Sequence, residues 1–561
     1  MFNRRHLLLA GTGLAASGAI ALGGCFKSKS SGILDTAYIN GEIWTGSSDT
    51  HLVASIGFAG NRITAIGKDA VSAATGPMTQ IIDLKGAFMA PGMIDNHSHF
   101  LLASQSLTQI NLRQASTPEI FTNMIGEKAR SLGPGKWILG GNWDEQLWGG
   151  ELPSHQWIDS GTPENPVAIA RLDLHSLFLN ALALKLAGID RNTPDPQGGV
   201  IVRDAHGEPT GVLKDNARDF VLRVIPDPTI QEKQASFREG IAHGLSFGVT
   251  QMHVKAITWD DHDTLRALRT HGETDMRFSS FIPIKDWERL HTLIQEEGRG
   301  DEWVRWGGVK GVFDGSLGAG TAWFRDPYTD EPDNSGMAFD NTKDLHQWIL
   351  DADRHNLHVA IHAIGDYANE QVLDIFEQTI AKNGPRDRRF LIEHAQHLNP
   401  KSFPRFKELD VIASMQPYHA IDDGRWAVNR IGEARLNGTY AFGSLLKAGA
   451  TVSFGTDWPV APLDPRLGLE AAVLRQTIDG ANPEGWLPEE KITIEQALKA
   501  YTVTNAYAGF QEDTFGKLLP GYTADFVIYE ENLLTVDPEK IGDVKIIQTV
   551  VNGESRFGNA V

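Results

Sequence analysis

From residue 93 to residue 455 the chain alternates short apolar runs with longer amphipathic stretches, and residue types able to hold a metal ion stand at the ends of several runs. Runs at 137–140, 167–172, 249–253, 309–313, 358–364, 390–394, 411–416 and 451–455 read as strands, and stretches such as 369–380 and 433–448 have helical spacing. Strands that alternate with helices build a parallel sheet, because a parallel neighbour is reached only through a crossover. An earlier run ends Pro91-Gly92-Met93-Ile94-Asp95-Asn96-His97-Ser98-His99. Side chains on a strand alternate between faces, so His97 and His99 share one face and can grip a single ion.

The other ligand types follow in order. Lys310 lies in Gly308-Val309-Lys310-Gly311-Val312-Phe313-Asp314, His362 ends Val359-Ala360-Ile361-His362, His394 ends Leu391-Ile392-Glu393-His394, and Asp457 follows Phe454-Gly455-Thr456. Taken singly, each reads as a capped or hydrogen-bonded core residue. Their spacing points elsewhere, since one βα unit of an eight-stranded barrel takes about 30 residues. His362 and His394 are 32 residues apart, His394 and Asp457 63, Lys310 and His362 52, and His99 and Lys310 211. With one long loop holding Asp326-Pro327-Tyr328, and an insertion over about 150–227 rich in Pro, Gly and Asp, these residues fall on strands one, four, five, six and eight of one barrel. Active sites of such barrels gather at the C-terminal strand ends. Short strands and turn glycines at 33–91 are matched at 506–561, which predicts a small β-sandwich made from both chain ends around a barrel at 92–505.

This order resembles the amidohydrolase superfamily. Segments 90–99, 310–317, 362–366, 393–396, 455–460 and 520–527, with the Asn552-Gly553 turn, are similar to its YtcJ-like branch, amidohydrolase family 3. The resemblance spans nearly all of the chain after its leader and implies an α/β fold, a TIM-type (β/α)8 barrel with a small β-sandwich. It further implies one or two divalent ions, zinc being the expected metal, held by His97, His99, Lys310, His362, His394 and Asp457, with Lys310 carboxylated to a bridging carbamate. Water activated by the metal would attack the substrate, and Asp457 would act as ligand, general base and then general acid toward the leaving amine. Read without the resemblance, Lys310 could instead form a buried ion pair with Asp314. After Gly318 the chain has Ala319-Gly320 where many relatives carry Ser-Arg, so no substrate contact is carried over from that position.

The activity expected is hydrolysis of a non-peptide C–N bond, an amide or N-acyl group of a small molecule. The same machinery serves a lactone or ester, and a non-catalytic binding lipoprotein on this fold is the reading from another class. Candidate pocket residues are Trp143, His175, His253, Asp314 and Tyr418 (with His419 beside it). Each has a structural alternative, a core ring for Trp143 and a hydrogen-bonded structural role for the histidines. Asp366 reads equally as a helix cap.

Among 561 residues, 41% are hydrophobic and 22% charged, and the net charge is −20. That balance argues against nucleic acid, whose phosphates need clustered Lys and Arg. The one cysteine is Cys25, so disulfides, thiol nucleophiles and Cys-ligated zinc are excluded from the body of the chain. Residues 1–25 read as a signal peptide. Arg4-Arg5 resembles a twin-arginine export signal and Leu22-Gly23-Gly24-Cys25 a lipobox, with 26–32 as tether, although an ordinary export signal with a coincidental cysteine has the same outline. The expectation is an exported protein, periplasmic or anchored to the membrane only through lipid on Cys25. Nothing in the sequence sets its oligomeric state.

Overall fold

The computed structural model describes residues 32–171, 176–196, 199–318, 320–338 and 342–559. The proposed leader therefore lies outside the described residues. Eight parallel strands form the central sheet: β1 (Met93–Ser98), β2 (Val249–Val254), β3 (Arg277–Pro283), β4 (Val304–Val312), β5 (Val359–Ala363), β6 (Leu391–His394), β7 (Ile412–Met415) and β8 (Thr451–Phe454), each paired with the next. Just beyond β8 the chain returns to β1. The Asp457 amide donates to the His97 carbonyl at 2.7 Å, and the His99 amide to that of Trp458 at 2.9 Å. The sheet is thus a nearly closed barrel, and its seam lies at the strand ends where the ligand types collect. Among the described residues no helix is long and apolar enough to cross a membrane.

Helices cover the barrel because their apolar faces need the sheet. In Asp366–Asn383, Ala368, Val372, Leu373, Ile375 and Phe376 are buried at three- and four-residue spacing. The stretch 433–448, expected to be one helix, is broken. It forms a short 3-10 turn at Glu433–Arg435 and a helix only at Phe442–Lys447. Gly438 sits between them at φ 105°, where a Cβ would lie 2.0 Å from the Leu398 carbonyl oxygen. Amphipathic spacing could not register that close approach.

Two of the runs read as strands, 137–140 and, within the expected insertion, 167–172, lie outside the barrel, and the first forms a strand only from Gly140 onward. Gly140–Trp143 and Ala168–Arg171 belong to a separate six-stranded sheet that runs Gly199–Arg203, Pro209–Asp215, Ser176–Leu179, Ala168–Arg171, Gly140–Trp143, Ile110–Asn111. Ala168–Arg171 pairs antiparallel with Ser176–Leu179, a pairing foreign to a parallel barrel. The excursion from the barrel therefore begins near Ile110 rather than near residue 150. In exchange, β3 was not read from the sequence. Its Arg277, Ser279 and Ser280 are buried, so it lacks the apolar run that marks a fully covered strand.

Both chain ends meet in one sheet. Phe526–Tyr529 lies antiparallel to Phe88–Pro91, with Phe526 opposite Pro91 and Tyr529 opposite Phe88. A four-stranded sheet of Arg62–Ile66, Ile56–Ala59, Thr36–Ile39 and Gln80–Asp83 packs against it. Tyr38 and Phe526 meet edge to face at 5.3 Å between ring centres in the shared core. The sandwich is tied to the barrel through Arg277, whose Nε and Nη2 donate to the two Asp525 oxygens at 2.7 and 3.1 Å. Such a two-pronged buried pair fixes angle as well as distance.

Candidate metal centre

The barrel brings the sequence-predicted ligands together. His97 ends β1, with His99 just beyond; Lys310 is on β4, His362 on β5, His394 closes β6, and Asp457 follows β8. The ring centres of His97 and His99 are 5.5 Å apart, His97 and His394 4.8 Å, and His362 and His394 4.5 Å. Asp457 Oδ1 lies 3.5 Å from His97 Nε2 and 3.3 Å from His99 Nε2. The seam must be tight for this, and Gly455 makes it so. A Cβ there would stand 2.5 Å from the His97 amide nitrogen. His394 and Asp457 hold φ at 75° and 60°, a left-handed backbone uncommon outside glycine and concentrated at functional sites.

Hydrogen bonds fix which nitrogen each imidazole offers. Burial would raise Glu393, but the ammonium of Lys255 and the His97 ring hold it well below the usual carboxylate range. An ionised carboxylate only accepts, so His97 Nδ1 donates to Glu393 Oε2 at 2.6 Å. Burial lowers His97 to about 4, so the ring is neutral and Nε2 keeps its lone pair. His394 Nδ1 donates to Gln416 Oε1 at 2.9 Å, leaving Nε2 free, and burial holds this ring well below 6.5. His362 Nε2 donates to the Gly315 carbonyl at 3.1 Å, which leaves Nδ1 as its acceptor; burial lowers it to about 3. Three neutral imidazoles with preset lone pairs suit a borderline divalent ion.

Two further observations fit an ion here. His97 Nε2, His419 Nε2 and Asp457 Oδ1 are buried with no hydrogen-bond partner among the described residues, a costly arrangement unless another group completes it. Asp457 is held far below the carboxylate range, because the surrounding histidines, His97 first, outweigh the effect of burial. The geometry offers two overlapping triads, His97–His99–Asp457 and His394–His419–Asp457. Lys310 is buried, and desolvation lowers it to about 8, which favours the free amine needed for carboxylation.

The other candidates separate. Asp314 does not pair with Lys310 among the described residues. Its oxygens accept the Ile364, Gly365 and Trp323 amides at 2.9, 2.8 and 2.8 Å, so it organises the loops after β4 and β5. Trp143 lies fully buried in the core of the separate sheet and donates to the Ile169 carbonyl at 3.1 Å. His253 is buried inside the barrel, its Nδ1 donating to Asn96 Oδ1 at 2.6 Å. Tyr418 is only half-buried; its neighbour His419 is the one that brings a nitrogen to within 3.9 Å of Asp457 Oδ2. His175 lies outside the described residues. Asp366 is the first residue of its helix rather than its cap, and accepts the Arg325 amide at 2.9 Å.

Sequence reasoning passed over the support beneath the ligands. Glu393 also accepts Ser414 Oγ at 2.7 Å and pairs with Lys255 Nζ at 2.8 Å, both partners of that ion pair being fully buried. The signal was present, since a carboxylate inside Leu391-Ile392-Glu393 cannot be buried alone. Its partners on β1, just after β2 and on β7 become visible only when the barrel closes.

Comparison with known proteins assigns the family. Residues 80–557 match the model of the amidohydrolase family. The chain is 38% identical to the protein LONG AFTER FAR-RED 3 of Arabidopsis thaliana, over 94% of this chain and 92% of that one. It is 31% identical to the putative amidohydrolase YtcJ of Bacillus subtilis, over 85% and 90%. It is 24% identical to the N-substituted formamide deformylase of Arthrobacter pascens, over 93% and 98%. Among solved structures, an uncharacterized metal-dependent hydrolase from Pyrococcus horikoshii superimposes with a TM-score of 0.76 at 29% identity, covering 90% of this chain and 99% of that one. The chain belongs to the amidohydrolase family, in its YtcJ-like branch.

Proposed function

We propose that this protein hydrolyses an amide or N-acyl C–N bond of a small molecule, using one or two divalent ions, zinc first, at the barrel mouth. The observation that carries the reading is the convergence of His97, His99, His362, His394 and Asp457 around buried atoms that lack partners among the described residues. The deformylase among its relatives, named for an N-substituted formamide, supports a C–N bond as target. His97, His99, His362, His394 and Asp457, with a carboxylated Lys310 and His419 beside them, would hold the metal, which when bound lowers the pKa of water and polarises the substrate carbonyl. Asp457 is ionised throughout the physiological range, so it can take the proton of the attacking water and return it to the leaving nitrogen. His99, with a side chain 37% exposed, faces the entrance, whereas His97 is sealed below it.

The test is a panel of N-acyl and N-formyl compounds, with matched esters and lactones, assayed on zinc-loaded protein. Turnover of the amides, lowered about 10²–10⁴-fold in Asp457→Asn, is expected. Turnover of esters and lactones alone, or an Asp457→Asn variant as active as the parent, would overturn the assignment.

A further inference from the structure

A second concave site lies at the opposite end of the barrel. A cavity of about 240 Å³ opens between Arg299, Arg305, Arg386, Arg388 and Phe510, with His358 and the acidic Asp387 also on its wall. Arg305 is the second residue of β4, His358 immediately precedes β5, and Arg386 and Arg388 lie just before β6. These are N-terminal strand ends. Along β4 alone, Arg305 and Lys310 are five residues apart, about 16 Å.

The cations here outnumber their counter-charges. Arg386 and Arg388 share the buried carboxylate of Asp353. Arg389 behind them takes both Asp387 and Glu512. Among the described residues Arg299 reaches only backbone carbonyls, those of Asn356 at 3.0 Å and Trp306 at 3.5 Å. Arg305 has no ion pair and no side-chain hydrogen bond among the described residues, and the buried Nε of Arg386 is likewise without a partner. Among the described residues five guanidinium groups thus face three carboxylates, leaving two positive charges uncompensated. Burial lowers Arg305 and Arg299, and each is pushed further by a neighbouring guanidinium, Arg299 on the first and Arg386 on the second. Solubility does not require such a cluster in a chain of net charge −20. Planar guanidinium forks match oxyanions, and at about 30 Å³ per water the space holds a phosphate with several waters.

We propose that this cavity is a binding site for a phosphate-class dianion, either inorganic phosphate or the phosphate of a small monoester, which neutralises Arg299 and Arg305 and stabilises the barrel from the end away from the metal centre. The experiment follows thermal unfolding of the full-length protein against inorganic phosphate, with chloride at matched ionic strength as reference and phenyl phosphate as the monoester arm. A saturable rise in Tm with phosphate but not chloride is expected. In Arg305→Gln the phosphate Kd rises at least tenfold, while the ligand-free variant is no less stable than the parent because an opposed charge is gone. Arg305→Lys keeps a weaker response. Equal binding of phenyl phosphate assigns the site to monoesters, and its exclusion assigns it to the free ion. The proposal fails if phosphate stabilises no more than chloride does. It also fails if Arg305→Gln and Arg299→Gln respond like the parent, as they would were phosphate bound at the histidine cluster.

Discussion

Glu393→Gln separates two effects that the structure joins in one carboxylate. Glu393 holds the proton of His97 on Nδ1 at 2.6 Å and neutralises Lys255 at 2.8 Å, with all three side chains fully buried. The amide has the same shape but no charge. Stranding the Lys255 ammonium should cost about 3–5 kcal/mol of stability. The cost at the metal is separate. An amide can donate to His97 Nδ1, which would move the ring proton to Nε2, the atom aimed at the ion. Losing the support behind a ligating histidine lowers metal affinity about 10–100-fold, or about 1.4–2.7 kcal/mol. The double variant Lys255→Met/Glu393→Gln removes the stranded charge. Urea unfolding of the metal-free proteins should show most of the lost stability restored, because bound metal would otherwise mask the comparison. Zinc competition against a chromophoric chelator should show the affinity still reduced. A Glu393→Gln protein that binds zinc within a factor of about two of the parent would refute the tautomer argument, since the expected loss is at least tenfold. Affinity fully recovered in the double variant would show that charge, and not the position of the proton, sets the ligand.

Three further outcomes are expected. Protein reconstituted with zinc in carbon dioxide-free buffer should take up less metal than in bicarbonate, and Lys310→Met should lose that difference; equal uptake by the parent would remove the carbamate. His262 is held at about 3 by burial, so it stays neutral in the fold while the unfolded chain takes up a proton below about 6.5. Stability is therefore lost as pH falls through that window, by up to about 2 kcal/mol at pH 5 for this residue, and His262→Asn should flatten the decline in urea midpoint between pH 7 and pH 5. An unchanged slope would show that this ring is not the proton acceptor. Finally, Arg4→Lys/Arg5→Lys should retain the protein in the cytoplasm if export uses the twin-arginine route, and normal export of that variant would exclude it.

What could be read along the chain was whatever repeats with a local period. Apolar runs spaced by one or more units of about 30 residues, several of them ending near an imidazole, amine or carboxylate, pointed to the barrel and to the order of its candidate ligands, because a βα unit has a nearly fixed length. His97 and His99 were legible because strand geometry alone sets their facing. Strand β3 was hidden, since its buried polar residues, Arg277 among them, are satisfied by partners far away, such as Asp525. The run at 137–140 fits a barrel strand as readily as one of another sheet, as does 167–172 inside the insertion, because a short apolar run does not state which sheet will take it.

The chain by itself carried the fold class, named six candidate ligands and pointed to a sandwich made from both termini. Tertiary structure alone decided which nitrogen each histidine presents, that Glu393 and Lys255 lie beneath them, that His419 joins Asp457, and that Trp143 and Asp314 serve packing and loop order. The division has one cause. Periodicity is a property of neighbours along the backbone, whereas a proton's position, or a buried charge's partner, depends on residues up to hundreds of positions away that meet only when β8 closes onto β1.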